Sequence, residues 1–117
     1  MSRWEKTNKR DLTYSQWHRT LGDNYPTLDI DFIEVRRNEP VAVIEVKYYL
    51  GEFSTWHKSI YVKLALALGV PLYFVKHNCI EDTQSDPSTW FFIVEDIFEQ
   101  TTQRYNLEQY TAFLQGL

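Results

Sequence analysis

The apolar positions of the chain change period several times, and each change marks an element. Leu12, Tyr14, Trp17 and Leu21 recur at roughly helical spacing, with Asp11 or Thr13 available as a cap and Gly22 as a stop. A loop follows over residues 23–27, where Pro26 biases Tyr25 toward an extended backbone. Residues 28–36 read as a strand, Asn38, Glu39 and Pro40 as a turn, and residues 41–49 as a second strand whose first half is rich in β-branched side chains. After a loop over 50–55, a helix starts at Ser54 or Thr55 and runs to Leu68, with Ile60, Leu64 and Ala67, joined by Tyr61 and Leu68, on its apolar face. Gly69 and Pro71 end it. Residues 72–76 and 90–94 are short apolar runs of strand type, separated by a turn-rich acidic loop over 80–88. Residues 96–103 show no clear period. Asn106 and Gln109 form a capping-box pattern, and Leu107, Tyr110, Phe113 and Leu114 supply the face of a last helix.

The predicted order is helix, two hairpin strands, helix, strand, strand, helix. It describes a single α/β domain over 1–117, a mixed central sheet flanked by helices on both faces, plus a short C-terminal helix within 104–117 that docks on the body or on a second subunit. The strand, helix and strand spanning residues 41–76 have the form of a parallel crossover, which is almost always right-handed. Residues 1–10 are polar and basic, with Trp4 the only sizeable anchor, and read as a flexible arm.

Charged residues sit inside the two hairpin strands. Residues two apart share a face of a strand, so Asp29 and Asp31 lie together, as do Glu45 and Lys47. A loop with an odd number of residues, such as Arg37, Asn38 and Glu39, brings Asp31 opposite Glu45. Directly opposed Cβ atoms are about 5 Å apart. Two carboxylates at that distance repel, and a divalent cation between them removes the repulsion. Magnesium takes hard oxygen ligands at about 2.1 Å and keeps several waters. Lys47 beside such an ion could orient a water or balance charge on a phosphate, ingredients that suit phosphodiester hydrolysis. A plain alternative is a solvated hairpin edge with ordinary surface ion pairs, but residues 41–46 are very apolar for that role.

Asp31, followed by Glu45, Val46 and Lys47 on the next strand, resembles the signature of the PD-(D/E)XK nucleases, the superfamily of many restriction enzymes, junction resolvases and phage nucleases. The resemblance covers roughly residues 11–95 and implies a restriction-endonuclease-like αβββαβ-type core. It implies that Asp31 and Glu45 hold Mg2+, for which Mn2+ would substitute, and that Lys47 assists the attacking water. Pro26 lies five residues ahead of Asp31 rather than beside it, so Asp29 stands as an alternative ligand, with Asp31 preferred. In the family the first helix packs on the sheet and often adds an acidic ligand. Here it offers only Gln16 and His18, with Glu5 well upstream, and the second helix offers Lys58 and Lys63 as basic residues beside the site. His77 at the end of the third strand is a further group able to face it, although a turn-flanking histidine is the duller account.

Composition modifies this picture in three places. The formal charge of −4 argues against nonspecific attraction to phosphates, so contact with DNA must be local. Arg3, Lys6, Lys9, Arg10 and Arg19 are the basic candidates, and Tyr48 is an aromatic one able to stack on a base. One cysteine, Cys79, excludes an internal disulfide framework and suits a reducing, cytoplasmic compartment. No run approaches the ~20 apolar residues of a membrane span, and no signal peptide is visible. A chain of 117 residues has little surface for gripping a duplex, so a symmetric homodimer is expected. Two other readings remain open: a degenerate nuclease-fold module that binds nucleic acid or a protein, and an unrelated α/β domain. An even hairpin loop without a compensating bulge would favour the last.

Overall fold

The computed structural model describes residues 13–24, 26–79 and 86–117. The expected basic arm over 1–10, including Arg3, Lys6, Lys9 and Arg10, lies outside the described residues, as does most of the acidic loop. Five strands form one mixed sheet in chain order: β1 (Phe32–Arg36), β2 (Glu39–Tyr48), β3 (Leu72–His77), β4 (Phe91–Asp96) and β5 (Thr101–Asn106). The β2–β3 pair is parallel, and the other neighbours are antiparallel. The parallel pair is joined by α2 (Thr55–Leu68); α1 (Thr13–Arg19) precedes the sheet and α3 (Leu107–Gln115) follows it. Among the described residues two strands, not three, therefore lie between α1 and α2.

The hairpin differs from expectation in a way that leaves the carboxylates in place. Its turn has two residues, Arg37 and Asn38, with φ of 53° and 64°. Positive φ at both central positions is the turn whose twist matches a hairpin. An even turn alone would put Asp31 on the wrong face. However, Glu34 pairs with Ala42 while Val35 pairs with Pro40, so Val41 is an extra residue on β2. This bulge shifts the register by one. Phe32 then faces Ile44, and Asp31, the next residue outward, comes level with Glu45. The first strand is also shorter than expected, since residues 28–31 precede it.

Helices cover both faces. The α2 helix is capped by Ser54, whose hydroxyl accepts the His57 N–H at 3.1 Å, and ends at Gly69 in the left-handed region with φ of 69°. Its buried residues are Tyr61 and Ala65, one turn apart, packed on Val43, Leu72 and Phe74. The helix is thus rotated from the expected face, and Ala67 and Leu68 are exposed. On the other side α3 covers Ala42, Ile44, Val75, Phe92 and Val94 with Tyr110, Phe113 and Leu114. Phe92 and Tyr110 stack with ring centroids 4.2 Å apart. The Asn106–Gln109 capping box forms as expected, with reciprocal bonds of 2.8 and 2.9 Å.

Two further elements depart from expectation. Residues without a readable period become the turn before β5 and the first half of β5, a strand whose side chains are mostly exposed. The α1 helix has seven residues, none of them buried. Its Tyr14 and Trp17 rings lie 5.4 Å apart and satisfy each other rather than the sheet.

The turn yields a stability prediction. Arg37→Asn with Asn38→Gly should stabilise the fold by about 0.5–1 kcal/mol, because both positions then accept positive φ without strain. Urea unfolding followed by circular dichroism measures it. Unchanged or lower stability would contradict the assigned turn.

Candidate metal and phosphodiester site

Alternation along β2 divides its residues cleanly. Ala42, Ile44 and Val46 pack with the α3 cluster, whereas Val43 packs with α2, and Glu45 and Lys47 follow it on that side. Glu45 is 7% exposed, the one buried charged residue among the described residues. Its Oε2 atom has no hydrogen-bond partner. Such an oxygen is costly to bury, because it has lost water and gained no donor.

The groups around it explain why no donor is left. The Tyr61 hydroxyl donates to the Asp29 carbonyl at 2.9 Å and accepts the Asp31 N–H at 3.3 Å. A phenol has a single proton, and the Asp29 carbonyl takes it. Asp31 in turn accepts the Val46 N–H on Oδ2 at 2.9 Å, which holds the carboxylate across β2. Burial is the main cause that pushes the Glu45 carboxyl above its ordinary value. The Asp31 charge adds to this, and His57 opposes it. Burial also pushes the Tyr61 phenol well up, with neighbouring Glu45 contributing.

Asp31 and Glu45 are therefore brought together, and Asp31 rather than Asp29 is the nearer carboxylate: Asp29 contributes its backbone carbonyl to Tyr61. Lys47 lies on the same side, with Nζ 5.8 Å from the Phe53 ring centroid, and forms no ion pair with either carboxylate. Gly51 lies close over the end of β2; a Cβ there would lie 3.5 Å from Lys47 Cδ and 3.2 Å from the Tyr48 carbonyl oxygen.

The auxiliary candidates fare differently. Among the described residues, no hydrogen bond or ion pair links Gln16 or His18 to these carboxylates; His18 instead lies near Tyr14 and Trp17. Lys58 and Lys63 are exposed on α2. Arg19 lines a shallow groove with His18, Gly22 and Pro26. Tyr48 alternates to the α3 side of β2 and packs near Tyr49 and His77. His77 points to that side too, lining a cavity of about 280 Å³ with Ile44, Val75 and Tyr110. It cannot face Glu45 from there. Cys79 lines the same cavity, and burial pushes its thiol up, which disfavours a nucleophilic thiolate.

Sequence reasoning missed Tyr61 and His57 as neighbours of Glu45. The signal was their i, i+4 spacing on α2, which places them on one face. Among the described residues no group of three His, Cys, Asp or Glu side chains converges. An ion here would rest on two carboxylates, with water filling the remaining positions. The donor chemistry fits a hard divalent cation, since Glu45 Oε2 is an unpartnered buried oxygen beside a second carboxylate. No protein-family model matches the sequence, and no curated protein or solved structure is detectably similar to it.

A pH prediction follows. The folded-state value of Glu45 is raised above its ordinary 4.5, so the folded chain holds this proton more tightly than the unfolded one. Its contribution is most favourable below that ordinary value and is lost as pH rises through the folded value. Glu45→Gln should remove this component, leaving metal-free protein more stable than wild type at neutral pH. Denaturant unfolding in EDTA at a series of pH values checks it, and an equal pH dependence in both proteins would contradict it.

Proposed function

We propose that the chain is a magnesium-dependent endonuclease of the PD-(D/E)XK type that hydrolyses DNA phosphodiester bonds. The observation that carries this reading is the buried, unpartnered Glu45 oxygen beside Asp31, at the end of an apolar strand that continues to Lys47. The helices on both faces of a mixed sheet suit a restriction-endonuclease-like core, with one strand fewer than the αβββαβ order between α1 and α2.

In this reading Asp31 and Glu45 hold the ion. Bound there, magnesium supplies positive charge between the carboxylates and the Lewis acidity that phosphodiester hydrolysis needs. Val46 N–H and Tyr61 fix where the Asp31 carboxylate stands, so it needs little reorganisation to serve as a ligand. Lys47 orients the attacking water or offsets charge gathering on the phosphate. The expected homodimer draws support from the sheet edge: β1 exposes Phe32, Ile33 and Val35, a surface that a second copy would cover. No helix among the described residues is long and apolar enough to cross a membrane.

A second reading has its own observation. Among the described residues only two carboxylates converge, and α1 adds none, which suits a module that keeps the fold and binds nucleic acid or a protein without cutting.

Cleavage of supercoiled plasmid and of a four-way junction separates the two. Cutting should require magnesium or manganese, stop in EDTA, and fall at least about 100-fold in both Glu45→Ala and Lys47→Ala. A folded wild type that cuts neither substrate favours the binding module. Cutting that survives both substitutions places the chemistry elsewhere.

A further inference from the structure

Lys47 and Lys76 are direct register partners across the parallel β2–β3 pair. Neighbouring strands are about 4.8 Å apart, and paired like charges at that spacing oppose folding. Both side chains are half-buried, and both ammonium groups lie 5.8 Å from the centroid of the same ring, Phe53. Phe53 is itself held against Phe74, ring centroids 4.4 Å apart, so the ring shared by the lysines is fixed to the core.

Neutralisation of this pair is incomplete. Among the described residues Lys47 has no ion pair, and Lys76 has one, to Glu52 at 3.8 Å. The Glu52 side chain is 90% exposed, at a separation and exposure where an ion pair contributes little. Two cations thus converge with one loosely held counter-charge. They stand at the carboxyl ends of two parallel strands, the end of an open α/β sheet where ligands bind.

We infer that Lys76, with Lys47 and Phe53, forms a binding site for a backbone phosphate of the DNA next to the one attacked, and that Glu52 occupies the site until the phosphate displaces it. This rests on the nuclease reading for its choice of ligand. It assigns Lys76 to substrate binding and Lys47 to both binding and chemistry. Phe53 lies 5.8 Å from both ammonium groups and holds them near one point by attraction to its face. Glu52 provides the competing charge, so its removal tightens binding while removal of Lys76 weakens it.

Fluorescence anisotropy with a short labelled DNA duplex and with its single strand, in EDTA over a potassium chloride series, tests this without any cutting. Lys76→Ala should weaken binding about five- to tenfold at low salt. It should also lower the slope of log affinity against log salt by about 0.9 on duplex or 0.7 on single strand, the effect of losing one phosphate contact. Lys76→Arg should retain the slope, and Glu52→Gln should raise the affinity. Circular dichroism confirms that each variant is folded. Unchanged affinity and slope in Lys76→Ala, or a wild type that binds neither DNA at low salt, would overturn the inference. Plasmid cleavage read beside it keeps the two proposals apart. The slope change without metal-dependent cutting leaves the phosphate site standing and removes the nuclease. Cutting by a Lys76→Ala variant with wild-type binding does the reverse.

Discussion

Because side chains alternate along a strand, one residue more or less between β1 and β2 would turn Asp31 away from Glu45. The Arg37–Asn38 turn alone has the wrong parity, and the extra residue at Val41 corrects it. Once that register is set, the remaining geometry follows. Asp31 reaches the Val46 N–H, Tyr61 meets the backbone of Asp29 and Asp31, and Glu45 is buried beside them with its Oε2 lacking a donor. A bulge at an edge hairpin also increases local twist.

The two faces of the sheet treat their strand ends differently. On the α3 side, Phe92, Tyr110 and Phe113 stack on one another and leave an apolar cavity beside His77. On the other side α2 begins only at Thr55, after a loop that carries Phe53 back over Phe74. The ends of β2 and β3 are left for Lys47 and Lys76, which alternation places on the α2 side with Glu45. The α2 helix still contributes the hydroxyl of Tyr61, since burying that ring in the core carries its polar end to the carboxylate loop.

Local chemistry made much of this legible from sequence. Gly69 with Pro71, Ser54, and the Asn106–Gln109 box have short-range causes, and each cap appears where those causes put it. The β-branched run of β2 and its charged end were equally plain, and so was the pairing of Asp31 with Glu45. The route to that pairing was not. A bulge leaves no local mark in Val41, whose neighbours are also apolar, and an Arg–Asn turn lacks the glycine that usually announces two residues of positive φ. β5 was hidden because Thr101 to Arg104 are exposed, so no apolar alternation develops. Lys76 and Tyr61 looked ordinary in sequence because their meaning comes from parallel pairing and helix rotation, which are tertiary facts.

The negative charge of the whole chain is a weak objection to a phosphate ligand. Sixteen acidic residues outnumber twelve basic ones. Screening at 0.1 M salt limits exposed charges to about 10 Å, so carboxylates elsewhere on the surface matter little at the strand ends. Among the described residues, the charged groups at these strand ends include two half-buried ammonium groups against one ring, one exposed glutamate, and two carboxylates that a divalent ion would neutralise. With the ion in place the local balance is positive, and a backbone phosphate meets attraction from both lysines. Without it, Asp31 and Glu45 repel the same phosphate. Ion and DNA should therefore favour each other's binding through charge alone, a coupling that is reciprocal by necessity.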